Sequence, residues 1–178
     1  MKKAVILTAR KERDSQVPYP LLPFAGDTCL MDRTLAILRE NGIKQIAIVT
    51  GFCHEQFEKY KADDVTLIYN KEYEFTASMG SLALAKDFID EDFLLVEGDT
   101  FYEKKVIEQL CELKTGNCIS MTEESGSGDE CFVETKNGFV TKITKDRHRV
   151  CNFEGEMLGA TRISYETYQK LIDRKSVV

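Results

Sequence analysis

The chain has 178 residues, of which 43% are apolar and 30% are charged, and its formal net charge is −6. Chains of this size bury roughly two-thirds of the surface that they expose when unfolded, so one hydrophobic core is expected without a disulfide or metal staple. The acidic balance argues against a protein that coats nucleic acid, and the apolar runs are too short to span a membrane.

The six cysteines show no Cys-x-x-Cys spacing, which argues against a zinc site or a redox motif. Residues 1–7 read as a buried first strand rather than as an export signal, because the apolar stretch is short and runs into a charged segment. We therefore predict a cytoplasmic protein whose thiols are reduced and mostly buried.

The amino-terminal part begins with a strand at residues 4–8, a continuous β-branched run typical of a strand that is buried on both faces. An unusually long loop, punctuated by prolines, covers residues 10–27. The first helix, at 31–41, ends on Asn41-Gly42, which is a helix stop signal, and a second strand follows at 45–50.

The rest of the chain continues this alternation of apolar runs and helical periodicity. Helices are predicted at 55–61, 80–89, 104–113 and 165–174, and strands at 65–69, 92–97, 118–121 and 158–163. The pair Asn137-Gly138 predicts a small β-hairpin between strands 131–135 and 139–144. The predicted fold is α/β, a Rossmann-like three-layer sandwich in which residues 1–178 form one domain with a mostly parallel central sheet and helices on both faces.

Two blocks of sequence carry a family pattern. The first comprises the stretches 4–9 (AVILTA), 18–24 (PYPLLPF), 35–38 (LAIL) and 42–52 (GIKQIAIVTGF), and the second comprises 78–85 (SMGSLALA) and 93–100 (FLLVEGDT). In order and spacing these blocks resemble the sugar-phosphate and choline-phosphate nucleotidyltransferases. The form Glu97-Gly98-Asp99 is similar to the branch that uses CTP with choline phosphate or a related phosphorylated amino-alcohol or phosphonate.

The resemblance implies a fold of the nucleotide-diphospho-sugar transferase type and a transferase activity. A nucleoside triphosphate, with CTP favoured, would be joined to a small phosphorylated alcohol, phosphonate or sugar phosphate, with Mg²⁺ as cofactor and pyrophosphate as product. Nucleic acid is not an expected partner, and the sequence leaves the oligomeric state open.

Asp99 is the candidate metal ligand. It follows a glycine at the carboxyl end of a predicted buried strand, where open α/β sheets place their ligands, and it matches the family's metal-binding aspartate. Without the family pattern, an aspartate in this position is more often a cap or a turn residue. Glu97 lies on the same strand face, either as a second acid or as a hydrogen-bonded support.

The loop after the first strand departs from the family, whose glycine-rich phosphate loop is here Arg10-Lys11-Glu12-Arg13-Asp14. The family's Pro-Lys-Pro is Pro18-Tyr19-Pro20, so an uncharged side chain replaces the lysine that neutralises the triphosphate. Residues expected on the nucleotide side are Thr8, Ala9, Arg10, Lys11 and Tyr19, with Arg13 as a catalytic replacement for the lost charge. The alternative is a solvated, charged loop.

Four further positions follow from the resemblance. Lys145 corresponds to a lysine that contacts the acceptor's phosphate, although an exposed lysine at a strand end is common. Thr76, Ser78 and Gly80 occupy the loop that contacts base and ribose, although Ser78 could simply cap a helix. His54 and His148 match no catalytic pattern and are expected at the surface.

Two other functions are considered beside the nucleotidyltransferase. The altered loop also fits a catalytically inactive relative that binds a nucleotide or a partner protein. A glycosyltransferase on the same sheet would carry an Asp-x-Asp motif, which Gly98-Asp99-Thr100 lacks. The family's carboxyl-terminal stretch with a second metal-binding aspartate is not found before Val178, so the chain is either a fragment or a short member.

Overall fold

The computed structural model of the protein describes residues 1–11, 15–114 and 116–175. The strands are β1 Lys3–Thr8, β2 Pro23–Ala25, β3 Thr28–Cys29, β4 Gln45–Thr50, β5 Val65–Tyr69, β6 Phe93–Glu97, β7 Cys118–Thr122, β8 Phe132–Lys136, β9 Phe139–Thr144 and β10 Phe153–Ile163. The α-helices are α1 Leu30–Glu40, α2 Ser78–Leu84, α3 Lys104–Glu112 and α4 Tyr165–Lys175, and short 3-10 helices cover Tyr19–Leu21, His54–Tyr60 and Arg147–Arg149.

Eight of the strands form one mixed sheet in the order β5-β4-β1-β6-β10-β8-β9, with β7 also paired to β10. The first four strands of this order run parallel to one another. Strand β10 runs antiparallel to β6, β7 and β8, and β8 and β9 form the hairpin predicted at Asn137-Gly138. The predicted α/β fold with its parallel core is therefore confirmed, and the antiparallel β10 makes the sheet mixed.

Some local features differ from the predictions. The helix predicted at 55–61 is present as His54–Tyr60, but it is a 3-10 helix that follows Cys53 in the left-handed conformation (φ 50°), and Phe57 is its buried residue. The loop predicted at 10–27 contains the short strand β2 and is followed directly by its partner β3, and both strands are too short to give a periodic signal. Strand β10 starts at Phe153 rather than at 158, because Gly155 obscures its pattern.

The central strands are buried on both faces, so a hydrophobic core lies on each side of the sheet. Helices α1 and α3 pack on one side through Leu35, Leu38 and Ile107. Helices α2 and α4 pack on the other through Leu82 and Tyr168, whose pKa is raised to about 12 by burial. Within the described parts of the chain, no helix is both long enough and apolar enough to cross a membrane.

The six cysteines are free, as predicted, but the prediction that most of them are buried was wrong. Only Cys29 is fully buried, and Cys151 is exposed, because most of the cysteines lie at element ends or on the outer strands rather than in the central ones.

Candidate active site

A cleft of about 1150 Å³ opens at the carboxyl ends of β1 and β6. Its other walls are the segment 73–78 before and at the start of α2, the middle of β10, and the loop that leads into β8. The predicted site residues that line it are Thr8, Ala9, Arg10, Lys11, Tyr19, Thr76, Ser78, Glu97, Asp99 and Lys145. The topology therefore brings together residues that are up to 137 positions apart in the sequence.

Two predicted residues are not placed in this cleft. Gly80 lies within α2, where its N–H donates to the carbonyl of Ala77 (2.8 Å), and it is not among the residues that line the cleft. Arg13 lies outside the described residues.

Gly98 fixes the contact between the two strand ends. Leu7 and Glu97 are paired in the parallel register, and the N–H of Gly98 donates to the carbonyl of Leu7 (2.9 Å). A Cβ at position 98 would lie 2.4 Å from Thr8 Cγ2 and 2.9 Å from the Leu7 carbonyl oxygen. Because neither distance is tolerated, only glycine lets the chain pass here and bring Asp99 beside the end of β1.

The acidic pair at the end of β6 consists of an exposed Asp99 and a half-buried Glu97. Burial, and secondly the charge of Asp99, raises the pKa of Glu97 to about 7, against opposing contributions from a hydrogen bond with Ser78 and the charge of Arg10. The hydroxyl of Thr100 donates to Asp99 Oδ1 at 3.5 Å. Two carboxylates that destabilise one another at a cleft floor are a suitable place for a cation.

Tyr102 and Gly159 support Glu97 from behind, and the sequence did not predict either. The buried Tyr102 hydroxyl donates to the backbone carbonyl of Glu97 (3.1 Å). Gly159 has a φ of +87° at the point where the register of β10 shifts, and a Cβ there would lie 3.1 Å from Glu97 Cγ and from the Tyr102 hydroxyl. The bulge thus makes room for the Glu97 side chain.

The basic residues of the cleft are held by local partners. Lys145 Nζ donates to Asp129 Oδ1, and Arg10 Nη1 lies 3.6 Å from Asp129 Oδ2. Lys11 Nζ lies 5.4 Å from the centre of the Phe52 ring, a cation–π distance. The hydrogen bond from Lys145, followed by the charges of Lys145 and Arg10, holds the pKa of Asp129 below its ordinary value. Asp129 was not predicted, because only the folded chain brings it to these two cations.

Asn70 organises the segment that precedes α2. It is buried, and its Nδ2 donates to Thr76 Oγ1 (2.8 Å) and to Ser81 Oγ (3.0 Å), while its Oδ1 accepts from the N–H of Glu72 (3.0 Å). The alternative that Ser78 only caps the helix was wrong, because Ala77 is the N-cap residue. Ser78 instead lines the cleft together with Glu97.

Of the two histidines, only His148 is exposed as predicted. His54 is not a free surface residue: its Nδ1 lies 2.7 Å from Thr50 Oγ1, its ring stacks on Tyr69 at 4.4 Å between centroids, and its Nε2 lies 3.4 Å from Glu58. These contacts connect the carboxyl ends of β4 and β5, and none of them involves the acidic pair.

No group of three or more histidine, cysteine, aspartate or glutamate side chains among the described residues could hold a metal ion unaided. Among the described residues that line the cleft, Arg10, Lys11 and Lys145 are outnumbered by the acids Glu74, Glu97, Asp99, Asp129 and Glu156. A polyanion would therefore enter this cleft more favourably together with a divalent cation.

The parallel-cored sheet, with an acidic pair and basic side chains in a cleft at the carboxyl edge, defines an α/β protein of the nucleotidyltransferase type. The chain belongs to the family of the MobA-like NTP transferase domain, whose family model matches residues 4–152.

Two curated relatives and one solved structure illustrate the similarity. The choline-phosphate cytidylyltransferase of Haemophilus influenzae is 42% identical over 77 residues, which are 43% of this chain and 33% of that protein. The CMP-5'-(3-aminopropyl)phosphonate synthase of Streptomyces rubellomurinus is 29% identical over 163 residues, which are 85% of this chain and 26% of that protein. The chain thus spans a third or less of the length of these relatives.

The structure of the inositol-1-phosphate CTP transferase from T. maritima superposes with a TM-score of 0.78 at 19% identity. The superposition covers 95% of this chain and 73% of that one. At this level of identity the likeness establishes the shared fold.

Proposed function

We propose that this protein is a cytidylyltransferase that joins CTP to a small phosphorylated alcohol or a phosphonate and releases pyrophosphate. An oxygen of the acceptor's phosphate or phosphonate attacks the α-phosphorus of CTP. A new bond forms between that oxygen and the α-phosphorus, and the bond from the α-phosphorus to the bridging oxygen of the leaving pyrophosphate breaks. The observation that carries the proposal is the acidic pair at the end of β6, which faces Arg10 and Lys145 across one cleft in a member of this family.

The residues of the cleft fit a magnesium ion. Mg²⁺ is commonly bound through one or two carboxylates together with substrate phosphates, and Asp99 with Glu97 offers such a pair. Bound there, the ion would neutralise charge on the phosphates of the transition state. Asp99 would be the principal ligand because it is exposed, while the half-buried Glu97 would support it.

The nucleotide side of the proposed site is the end of β1 with its following loop. The backbone of Thr8 and Ala9 and the cationic groups of Arg10 and Lys11 would face the triphosphate, and Ser78 would face the nucleoside. The Thr8 hydroxyl donates to the carbonyl of Val49 (3.0 Å), so this residue contributes a fixed backbone rather than a free hydroxyl. Arg13 belongs to the same proposal as a further cation, and Gly80 takes no direct part.

The acceptor side of the proposed site is Lys145 with the middle of β10. Lys145 would meet the acceptor's phosphate or phosphonate after leaving Asp129. The names of the similar proteins, a choline-phosphate cytidylyltransferase, an aminopropylphosphonate CMP synthase and an inositol-1-phosphate CTP transferase, support CTP as the nucleotide and a small phosphorylated or phosphonate acceptor.

A specific observation favours a second candidate function, nucleotide binding without turnover. Tyr19 stands where the family's phosphate-neutralising lysine is expected, and it lines the cleft with 39% of its surface exposed. Loss of one preorganised charge at such a site typically lowers turnover by about 100-fold or more. The enzyme proposal therefore requires Arg10, Lys11 or Arg13 to supply this charge.

Pyrophosphate release tests the proposal. The parent, Asp99→Asn and Tyr19→Lys are compared with CTP, UTP, ATP and GTP, each with Mg²⁺ and with choline phosphate, 3-aminopropylphosphonate or inositol 1-phosphate. We expect CTP-dependent release in the parent that is lost in Asp99→Asn. If neither the parent nor Tyr19→Lys turns over any pair while CTP still binds, the protein is a binding relative.

A further inference from the structure

We propose that Asp129 is an internal anion that occupies the phosphate-binding position of the cleft and that the phosphate of an incoming substrate displaces it. The inference rests on the proposed function, because it assigns the displaced position to a phosphate of that reaction. It makes the loop 123–130 a strap across the cleft whose carboxylate competes with the ligand.

The first observation is the placement of the carboxylate. Asp129 bridges two cations that come from opposite parts of the cleft, Lys145 after β9 and Arg10 after β1. One oxygen accepts from Lys145 Nζ and the other lies 3.6 Å from Arg10 Nη1. A phosphate group bound between these cations would need the same position, because its anionic oxygens, like those of a carboxylate, accept from both cations.

The second observation is how the strap is built. Its two glycines, Gly126 and Gly128, have φ values of +70° and +84°, which allow a tight path between β7 and β8. Its near end is tied to the cleft wall by the N–H of Ser125, which donates to Glu156 Oε2 (2.8 Å). Its far end is turned by Ser127, whose hydroxyl accepts from the N–H of Asp129 (3.4 Å). The strap thus presents Asp129 to the cations from a local turn rather than from the core.

The third observation is that the contact can be exchanged. The side chains of Asp129, Lys145 and Arg10 are each at least 60% exposed, and exposed ion pairs contribute little net stability. A pyrophosphate or triphosphate group carries more negative charge than one carboxylate, so it displaces Asp129 from the two cations, whereas a monoanion does not. Asp129 therefore makes the cleft selective for polyanionic ligands.

Binding of inorganic pyrophosphate, measured by calorimetry at low and at moderate salt, tests the inference. Asp129→Asn should bind pyrophosphate about threefold or more tightly than the parent, with a larger gain at low salt. Glu124→Gln is the matched control, because it removes the same charge from the same strap but its carboxylate lies 3.9 Å from Arg147 instead. In a Lys145→Met background the gain from Asp129→Asn should shrink.

Equal or weaker binding of pyrophosphate by Asp129→Asn, or an equal gain in Glu124→Gln, would overturn the inference, as would the absence of pyrophosphate binding in parent and variant alike. Its failure is distinguishable from failure of the proposed function. If the protein turns over CTP but Asp129→Asn does not bind pyrophosphate more tightly, the proposed function stands and the internal anion is rejected. If Asp129→Asn binds pyrophosphate more tightly but no turnover is found, the internal anion stands and the protein only binds its ligand.

Discussion

The parallel part of the sheet differs sharply in burial from the antiparallel part. Strands β1 and β4 are each buried at five of six positions, whereas β9 is exposed at five of its six positions and carries Phe139 at 77% exposure. The acidic pair lies at the end of a parallel strand, with Glu97 as the last residue of β6 and Asp99 just after it, while Lys145 and Asp129 flank the exposed hairpin.

The difference shows that one cleft is lined on one side by the ends of buried strands and on the other by exposed loops and a hairpin. Side chains at the end of a buried strand are fixed by register and close packing, which suits residues that must hold a metal and a transferring phosphate in place. Side chains on exposed loops and hairpins are held by exchangeable ion pairs, which suits residues that must release and accept ligands. Substitutions in the two parts should therefore have effects of very different size.

The largest effect is expected from removing the principal metal ligand in the buried part. Asp99→Asn should lower the turnover of CTP by about 100-fold or more, because the proposed ion then lacks its exposed carboxylate. Steady-state pyrophosphate release measures this. Asp63→Asn, an exposed acid at the opposite edge of the sheet, is the control and should retain activity within about twofold. Comparable losses in both variants would remove Asp99 from its special role.

The next largest effect tests the close packing between β1 and β6. Gly98→Ala should lower the free energy of unfolding by about 3 kcal/mol, because its Cβ would meet Thr8 and the Leu7 carbonyl. Urea unfolding measures this loss. Gly116→Ala is the control, since a Cβ there has 3.4 Å to its nearest atom. If Gly98→Ala is as stable as this control, the two strand ends are not closely packed.

A smaller effect concerns pH and the half-buried Glu97. Because the folded-state pKa of Glu97 is raised to about 7, its contribution to stability is present below its ordinary pKa and is lost as pH rises through about 7. The loss should be about 2 kcal/mol, less than the full shift implies because Glu97 is partly open to the cleft. Denaturation between pH 5 and 8 in metal-free buffer should show this slope in the parent and a weaker slope in Glu97→Gln. If the free energy of unfolding falls with pH equally in the parent and in Glu97→Gln, Glu97 does not cause the loss.

The smallest effect is expected on the exposed hairpin. Phe139→Ser should change the free energy of unfolding by less than about 0.5 kcal/mol, because the side chain has little contact to lose. Urea unfolding measures this change. A loss as large as that of Gly98→Ala would mean that the contrast between the two parts of the sheet does not hold.

The same contrast governs what the sequence could predict. The buried strands at 3–8, 45–50 and 93–97 were predicted almost to the residue, because burial on both faces leaves a continuous apolar run. The motif Glu97-Gly98-Asp99 placed the candidate metal ligand at the end of such a strand. The strands follow from local sequence alone, whereas the choice of Asp99 also required the family pattern.

The missed features depend on contacts between distant segments. Asp129 is defined only by meeting Arg10 and Lys145, and nothing in its own segment distinguishes it from Glu123 or Glu124. Gly159 matters because a register shift in β10 places it against Glu97, and a lone glycine in a strand does not reveal its neighbour. His54 likewise acquires its partners only when β4 and β5 are adjacent.

The most direct test of the proposed site is a crystal structure of the protein with CTP and Mn²⁺, located by the anomalous signal of manganese. We predict a manganese ion coordinated by Asp99 and by phosphate oxygens, with the triphosphate beside Thr8, Ala9 and Arg10. A nucleotide bound elsewhere, or an ion that does not contact Asp99, would contradict the proposed site.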